Sequence, residues 1–162
     1  MISKKDDFRR WQADRRLTAR GVDPANIPDR YRAILTRNPF FDYFDPEVVT
    51  LERGHVVLRF PFHAEMTQYQ GAVQGGIIVA YADASLAFAT ASVVPEGRDF
   101  VTTELTVQYI RPLTAGEATA TAVIEHAGRT LVRGCAKVEN DSGQLIALCT
   151  STFMVVDPRF KS

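Results

Sequence analysis

One side chain in this sequence poses a chemical question by its setting. Asp83 is the only charged residue between Glu65 and Glu96, and it sits inside the run Gly75-Gly76-Ile77-Ile78-Val79-Ala80-Tyr81-Ala82-Asp83-Ala84-Ser85-Leu86-Ala87-Phe88-Ala89. That run predicts one long helix over 74–94, apolar on every side, which the rest of the chain has to enclose. A carboxylate in such a place is disfavoured unless it is paired, hydrogen-bonded or open to a wet cleft. Two readings follow. Asp83 faces a subunit interface or pairs with a strand arginine, or it is a catalytic carboxylate whose pKa is raised in a cleft. The second gains weight from Gly75-Gly76, which exposes backbone N–H groups at the positive end of the helix dipole, where a developing oxyanion can be held. The glycines serve close packing against a strand equally well.

Other reactive types give less. His55, His63 and His126 are far apart and lack metal-ligand spacing, so they read as ordinary strand-end histidines and no metal is expected. Cys135 and Cys149 fall in predicted strands and fit reduced thiols better than a disulfide framework.

The elements that must position Asp83 follow from periodicity. Val56, Leu58, Phe60 and Phe62 alternate with His55, Val57, Arg59 and Pro61, which places two strands over 47–63, with Pro61 at an edge or strand end. After the helix, Pro95-Glu96-Gly97-Arg98 makes a turn. Four strands follow, over 100–111, 116–126, 129–139 and 144–156, and their three short connections predict successive antiparallel hairpins. Ahead of these, residues 4–20 suit an exposed helix with Phe8 and Trp11 as docking points. Residues 21–28 form a loop, and Asp29 caps a short helix carrying Tyr31, Ile34 and Leu35 that ends at Asn38-Pro39. Asn38-Pro39-Phe40-Phe41-Asp42-Tyr43-Phe44 is an aromatic cluster, expected to act as a lid or plug. The division is a helical extension over 1–37 and one α+β domain over 38–157.

Composition sets bounds. With 162 residues, 46% hydrophobic, and formal net charge zero, the chain is an ordinary globular one with a real core, and its charge balance calls for neither nucleic acid nor an anionic membrane. Ten of the nineteen Lys and Arg residues lie in the first 37 positions, as in a solvated helix. Met1 to Asp7 lack the pattern of a signal peptide, so a cytoplasmic location is expected. The apolar run at 77–94 has the length of a membrane span, but Asp83 within it and Gly75, Gly76 and Pro95 around it favour a core helix.

Two strands, one buried helix and four strands resemble the hotdog fold, an antiparallel sheet curled around a long central helix. Within it, the sequence resembles the PaaI-like acyl-CoA thioesterases over about 38–156. Val73-Gln74-Gly75-Gly76 followed by Tyr81-Ala82-Asp83-Ala84 is similar to that family's His-Gly-Gly at the helix start and its Leu-Ala-Asp. The strand Val101-Thr102-Thr103-Glu104-Leu105-Thr106-Val107-Gln108-Tyr109-Ile110-Arg111-Pro112 and the hairpin Gly128-Arg129-Thr130 add to the likeness. The resemblance implies catalytic roles for Asp83 as nucleophile or general base, for the Gly75 N–H as the donor to the thioester carbonyl, for Gln68 as a polar contact to it, and for Thr102 as holder of the attacking water. Gln74, Gly76, Thr103, Arg111 and Arg129 are the implied substrate-binding residues, with Arg133 and Lys137 as further basic candidates along the path of coenzyme A. No cofactor is implied, since coenzyme A enters as part of the substrate.

Gln74 departs from the family, whose usual His could titrate near neutral pH whereas Gln can only donate and accept hydrogen bonds. Ala87 lacks the hydroxyl that some related thioesterases carry one turn beyond the carboxylate. The resemblance further implies a homodimer or homotetramer. Gly75 and Asp83 are eight residues apart, about 12 Å along a helix, so if both act on one thioester they come from different chains. A non-catalytic acyl-CoA or ligand-binding hotdog protein is the alternative, and an α+β cone with its long helices first fits the element order less well.

Overall fold

The computed structural model describes residues 38–158, together with Trp11, Asp14, Tyr31 and Ile34 of the preceding part. Short helix α1 spans Pro39–Phe44, and strands β1 and β2 span Glu47–Glu52 and His55–Phe60. The long helix α2 spans Gly75–Val93, and β3 to β6 span Asp99–Tyr109, Ala118–Ala127, Leu131–Asn140 and Leu145–Val156. All six strands form one antiparallel sheet in the order β1-β2-β4-β5-β6-β3. With α2 laid across one face, this is the hotdog architecture.

The sheet makes room for the helix with small residues. Ala118, Ala120 and Ala122 of β4 and Ala136 of β5 are buried, and α2 packs chiefly against these two strands. At Gly134 the approach is closest. A Cβ there would stand 2.8 Å from the Val123 carbonyl oxygen and 3.0 Å from Leu86 Cδ2, so only glycine lets Leu86 seat at that point. The alternation of β2 holds, with Val56, Leu58 and Phe60 fully buried, and Phe60 stacks on Tyr81 of α2 at 4.0 Å between ring centroids.

Three expectations need correction. The first concerns pairing: β4–β5 and β5–β6 are hairpins, but β3 pairs with β6 and β2 with β4. The segment from Ile110 to Glu117 is therefore a crossing and not a hairpin loop. It is held by Val73 N–H donating to the Leu113 carbonyl at 2.8 Å and by burial of Leu113, so it runs over the start of α2. Second, Asn38-Pro39 does not only end a helix. Asn38 Oδ1 accepts from Phe40 N–H at 3.0 Å and Pro39 fits the first turn, where no N–H is needed, so the pair begins α1. Within the aromatic cluster Phe41 is buried against Phe88, whereas Tyr43 is exposed.

Third, the sheet does not enclose α2. The helix has the length and composition of a membrane span, yet only half of it is buried. Gly76, Val79, Ala80, Asp83, Ala84 and Ala87 form a partly open stripe along it. Tyr31 and Ile34 are helical, with Tyr31 stacked on Phe88, and Trp11 is helical and half exposed. Phe8, Asp29 and Leu35 lie outside the described residues. Cys135 and Cys149 are free thiols.

Candidate active site

The start of α2 is pinned from two sides before the helix begins. Thr67 bridges Val73, Gln74 N–H donates to the Met66 carbonyl at 2.8 Å, and Val73 N–H donates to Leu113. Those bonds engage the donors that precede the helix. The N–H groups of Gly75 and Gly76, first in the helix, have no hydrogen-bond acceptor among the described residues. They are two of the orphan donors every helix start presents, and they sit where the helix dipole favours negative charge. Nothing lies within 4 Å of a Cβ built on Gly76, so a side chain's space is open at that residue.

Asp83 lies two turns further along, in the open stripe. Thr102 of β3 donates its hydroxyl to Asp83 Oδ1 at 3.3 Å. Burial pushes the carboxyl pKa up, and the Thr102 hydrogen bond, which favours the charged form, pulls the other way more weakly. The β3–β6 register shifts between Thr102 and Glu104, so Thr103 is the extra residue of a bulge and turns its hydroxyl to the Thr152 carbonyl at 3.0 Å. Bulges re-aim neighbouring side chains, which is how this edge strand points Thr102 at the helix.

The arrangement therefore offers unpartnered N–H donors at one end of α2 and a carboxylate with a raised pKa in its middle. That is the equipment of acyl transfer to water. The thioesterase superfamily family model matches residues 70–147, which cover the helix and the strand that carries Thr102. Over residues 70–147 the chain is similar to the thioesterase superfamily, and its fold is the hotdog fold.

Solved structures and sequence relatives agree. A thioesterase family protein from Silicibacter pomeroyi superimposes with a TM-score of 0.75 at 26% identity, covering 80% of this chain and 98% of that one. The Escherichia coli PaaI protein from the phenylacetic acid degradation operon shares the fold, with a TM-score of 0.73 at 19% identity over 79% of this chain and 91% of the other. A Saccharolobus solfataricus protein provisionally named an esterase is 28% identical over 72% of this chain and 82% of its own length.

The other candidate residues of this hotdog protein are spread more widely. Gln68 lies in the loop beside the helix start, but its side chain closes its own turn, accepting from Gln70 N–H at 2.6 Å and donating to Gln70 Oε1 at 3.2 Å. Gln74 is the exposed N-cap residue of α2 and makes no side-chain cap bond. Arg111 lies at the Gly75 end of the sheet and donates to the Leu145 carbonyl at 3.1 Å. Arg129 is exposed in the β4–β5 hairpin at the opposite end, near the end of α2, so one chain does not bring the two arginines together. Arg133 and Lys137 are exposed on β5, on the sheet face turned away from α2.

One contact at the site was not anticipated. Tyr109, the last residue of β3, donates its hydroxyl to the Gly75 carbonyl at 3.0 Å. The sequence signal was there, an aromatic residue just before Arg111-Pro112, but only the β3 register shows that it reaches the helix start.

Proposed function

We propose that the chain hydrolyses acyl-CoA thioesters, with Asp83 as general base or nucleophile and the Gly75 N–H polarising the carbonyl. The carrying observation is the Asp83 carboxyl itself: the only acid in the helix, shifted upward by burial, and held by Thr102. A carboxylate of raised pKa is a better base near neutral pH than an ordinary surface acid. As base, it takes a proton from water as the oxygen attacks the thioester carbonyl carbon. The carbonyl oxygen, now negative, rests on the N–H donors at the helix start. Collapse breaks the C–S bond, and the thiolate takes the proton to leave as coenzyme A. As nucleophile, the carboxylate would displace the coenzyme A thiolate to form a mixed anhydride, which water then opens; opening at the Asp83 carbonyl would put oxygen-18 from labelled solvent into Asp83 in a single turnover, and opening at the acyl carbonyl would put it into the acid product.

This reading calls for a site shared between two chains, by the geometry of one helix. The helix separates Gly75 from Asp83 by about 12 Å, beyond the roughly 3 Å contacts that catalysis needs. Two copies of α2 packed antiparallel about a two-fold axis would set the start of one beside the middle of the other. The open stripe of small residues on α2 and β3, the outer strand of the sheet among the described residues, are surfaces suited to such pairing. The dimer would also bring an Arg111 of one chain towards the Arg129 end of the other, where coenzyme A phosphates need cations.

The test is thiol release from a panel of aliphatic and aromatic acyl-CoAs, wild type against Asp83→Asn. Turnover by the wild type that falls on the order of 10² to 10⁴-fold in the variant supports the proposal. Tight acyl-CoA binding without thiol release would instead mark a binding protein, the reading that Gln74 in place of a titratable residue favours.

A further inference from the structure

Two glycines open α2, and the structure gives them different surroundings. A Cβ on Gly76 would meet nothing within 4 Å, whereas one on Gly75 would stand 3.0 Å from Tyr109 Oη and 3.1 Å from its Cζ. Residue 75 lacks a side chain where a phenol comes in, and residue 76 lacks one where space is open.

The phenol lands on a particular atom. Its hydrogen bond goes to the Gly75 carbonyl oxygen, which belongs to the same planar peptide unit as the Gly76 N–H. A donor on the carbonyl polarises the whole amide, and linked hydrogen bonds strengthen one another by about 10–30% per bond. The carbonyl oxygen has a second lone pair for its place in the helix. We propose that Tyr109 is the positioning residue of the carbonyl-binding end of the site, fixing the first peptide of α2 and making the Gly76 N–H a second, stronger oxyanion donor beside that of Gly75. Strand β3 then serves both halves of the chemistry, with Thr102 on the Asp83 carboxylate and Tyr109 on the donor peptide. Tyr109 is 55% exposed in one chain, so its ring is packed by little else and its removal leaves the core intact.

The proposal rests on the thioesterase reading, and the experiment separates the two. Tyr109→Phe keeps the ring and deletes only the hydroxyl. Loss of one neutral hydrogen bond that acts on the transition state predicts a fall in kcat of about 3- to 10-fold with KM unchanged and the melting temperature held. The second readout needs no turnover. In an Asp83→Asn background, the isotope-edited infrared band of a carbonyl-labelled acyl-CoA is expected at lower frequency when bound than when free, and Tyr109→Phe is expected to move it part of the way back. A wild-type kcat in Tyr109→Phe, an unmoved band, or a rise in KM alone, would overturn the role of Tyr109 while leaving the thioesterase intact. Absence of turnover in the wild type would instead overturn the thioesterase reading, with the infrared band still deciding Tyr109 if acyl-CoA binds; absence of binding overturns both.

Discussion

If the reacting groups come from two chains, two impaired variants should repair each other. Asp83→Ala removes the carboxylate, and Gly75→Pro removes the N–H at the first helical position, the one place in a helix where proline fits. The proline ring would press on the Tyr109 phenol, but that is the far end of a largely exposed side chain, which can swing outward. Each homodimer would carry two sites, both defective in the same group. The heterodimer would carry one site lacking both groups and one with both intact, so the purified species should regain about half of wild-type turnover. An unfractionated mixture assembled at random is half heterodimer and should reach about a quarter. The species are to be co-expressed with different tags, purified by sequential affinity steps, confirmed by native mass, and assayed for thiol release at saturating acyl-CoA. A site built within one chain predicts the opposite, because each chain of the heterodimer still lacks one group. A confirmed heterodimer no more active than its parents refutes the distance argument and the pairing of Gly75 with Asp83.

Other expected outcomes bear on single residues. Because the folded pKa of Asp83 is raised above its unfolded value, the native state binds that proton more tightly, and the group's contribution to stability falls as pH rises through the two values. Asp83→Asn, which does not titrate, should therefore be at least as stable as wild type near neutral pH, with the gap closing on acidification; urea midpoints across pH check this, and a markedly less stable variant at neutral pH would contradict it. Thr102→Val deletes the bond that lowers the Asp83 pKa, so the acid limb of kcat/KM should move to higher pH and activity should fall more at low pH than at high; an unmoved limb would remove Thr102 from the site. Gln68→Ala should lower kcat if its side chain turns from Gln70 to the substrate, and wild-type turnover at saturation would show that it only closes its turn. Gly134→Ala should cost about 1–3 kcal/mol by overpacking Leu86 and the Val123 carbonyl, measured by chemical denaturation, while an unchanged midpoint would mean that α2 shifts freely on the sheet.

What the sequence made legible is what local periodicity records. The alternation of β2 names a buried face, because a residue in a strand faces one way whatever its distant partners, and the apolar run of α2 names a helix that needs cover. Pairing is different. The connection at 110–117 has the length of a hairpin loop, and nothing within it says that Leu113 is buried over the helix start or that β3 must bond to β6. For the same reason Asp83 was legible as a lone charge in apolar surroundings, whereas Thr102 entered only through the resemblance, as holder of the attacking water, and neither its bond to Asp83 nor the Tyr109 contact was read. Both contacts join residues far apart in the chain, 19 and 34 positions away.

The uncovered stripe on α2 carries that argument one step further. An apolar helix asks for cover on every side, and a sequence cannot say whose atoms provide it. One chain buries Ile78, Tyr81, Ala82, Ser85, Leu86 and Phe88 and leaves Gly76, Val79, Ala80, Asp83, Ala84 and Ala87 partly open. The open residues are nearly all small, which would let a second backbone approach closely, and the one charged residue among them is the proposed catalytic acid. Small apolar residues lining a carboxylate have no stabilising reason to face water. Under a second helix they would exclude water from the carboxylate and set it against another chain's donors, so the demand for cover and the demand for a reacting partner would be met by the same contact.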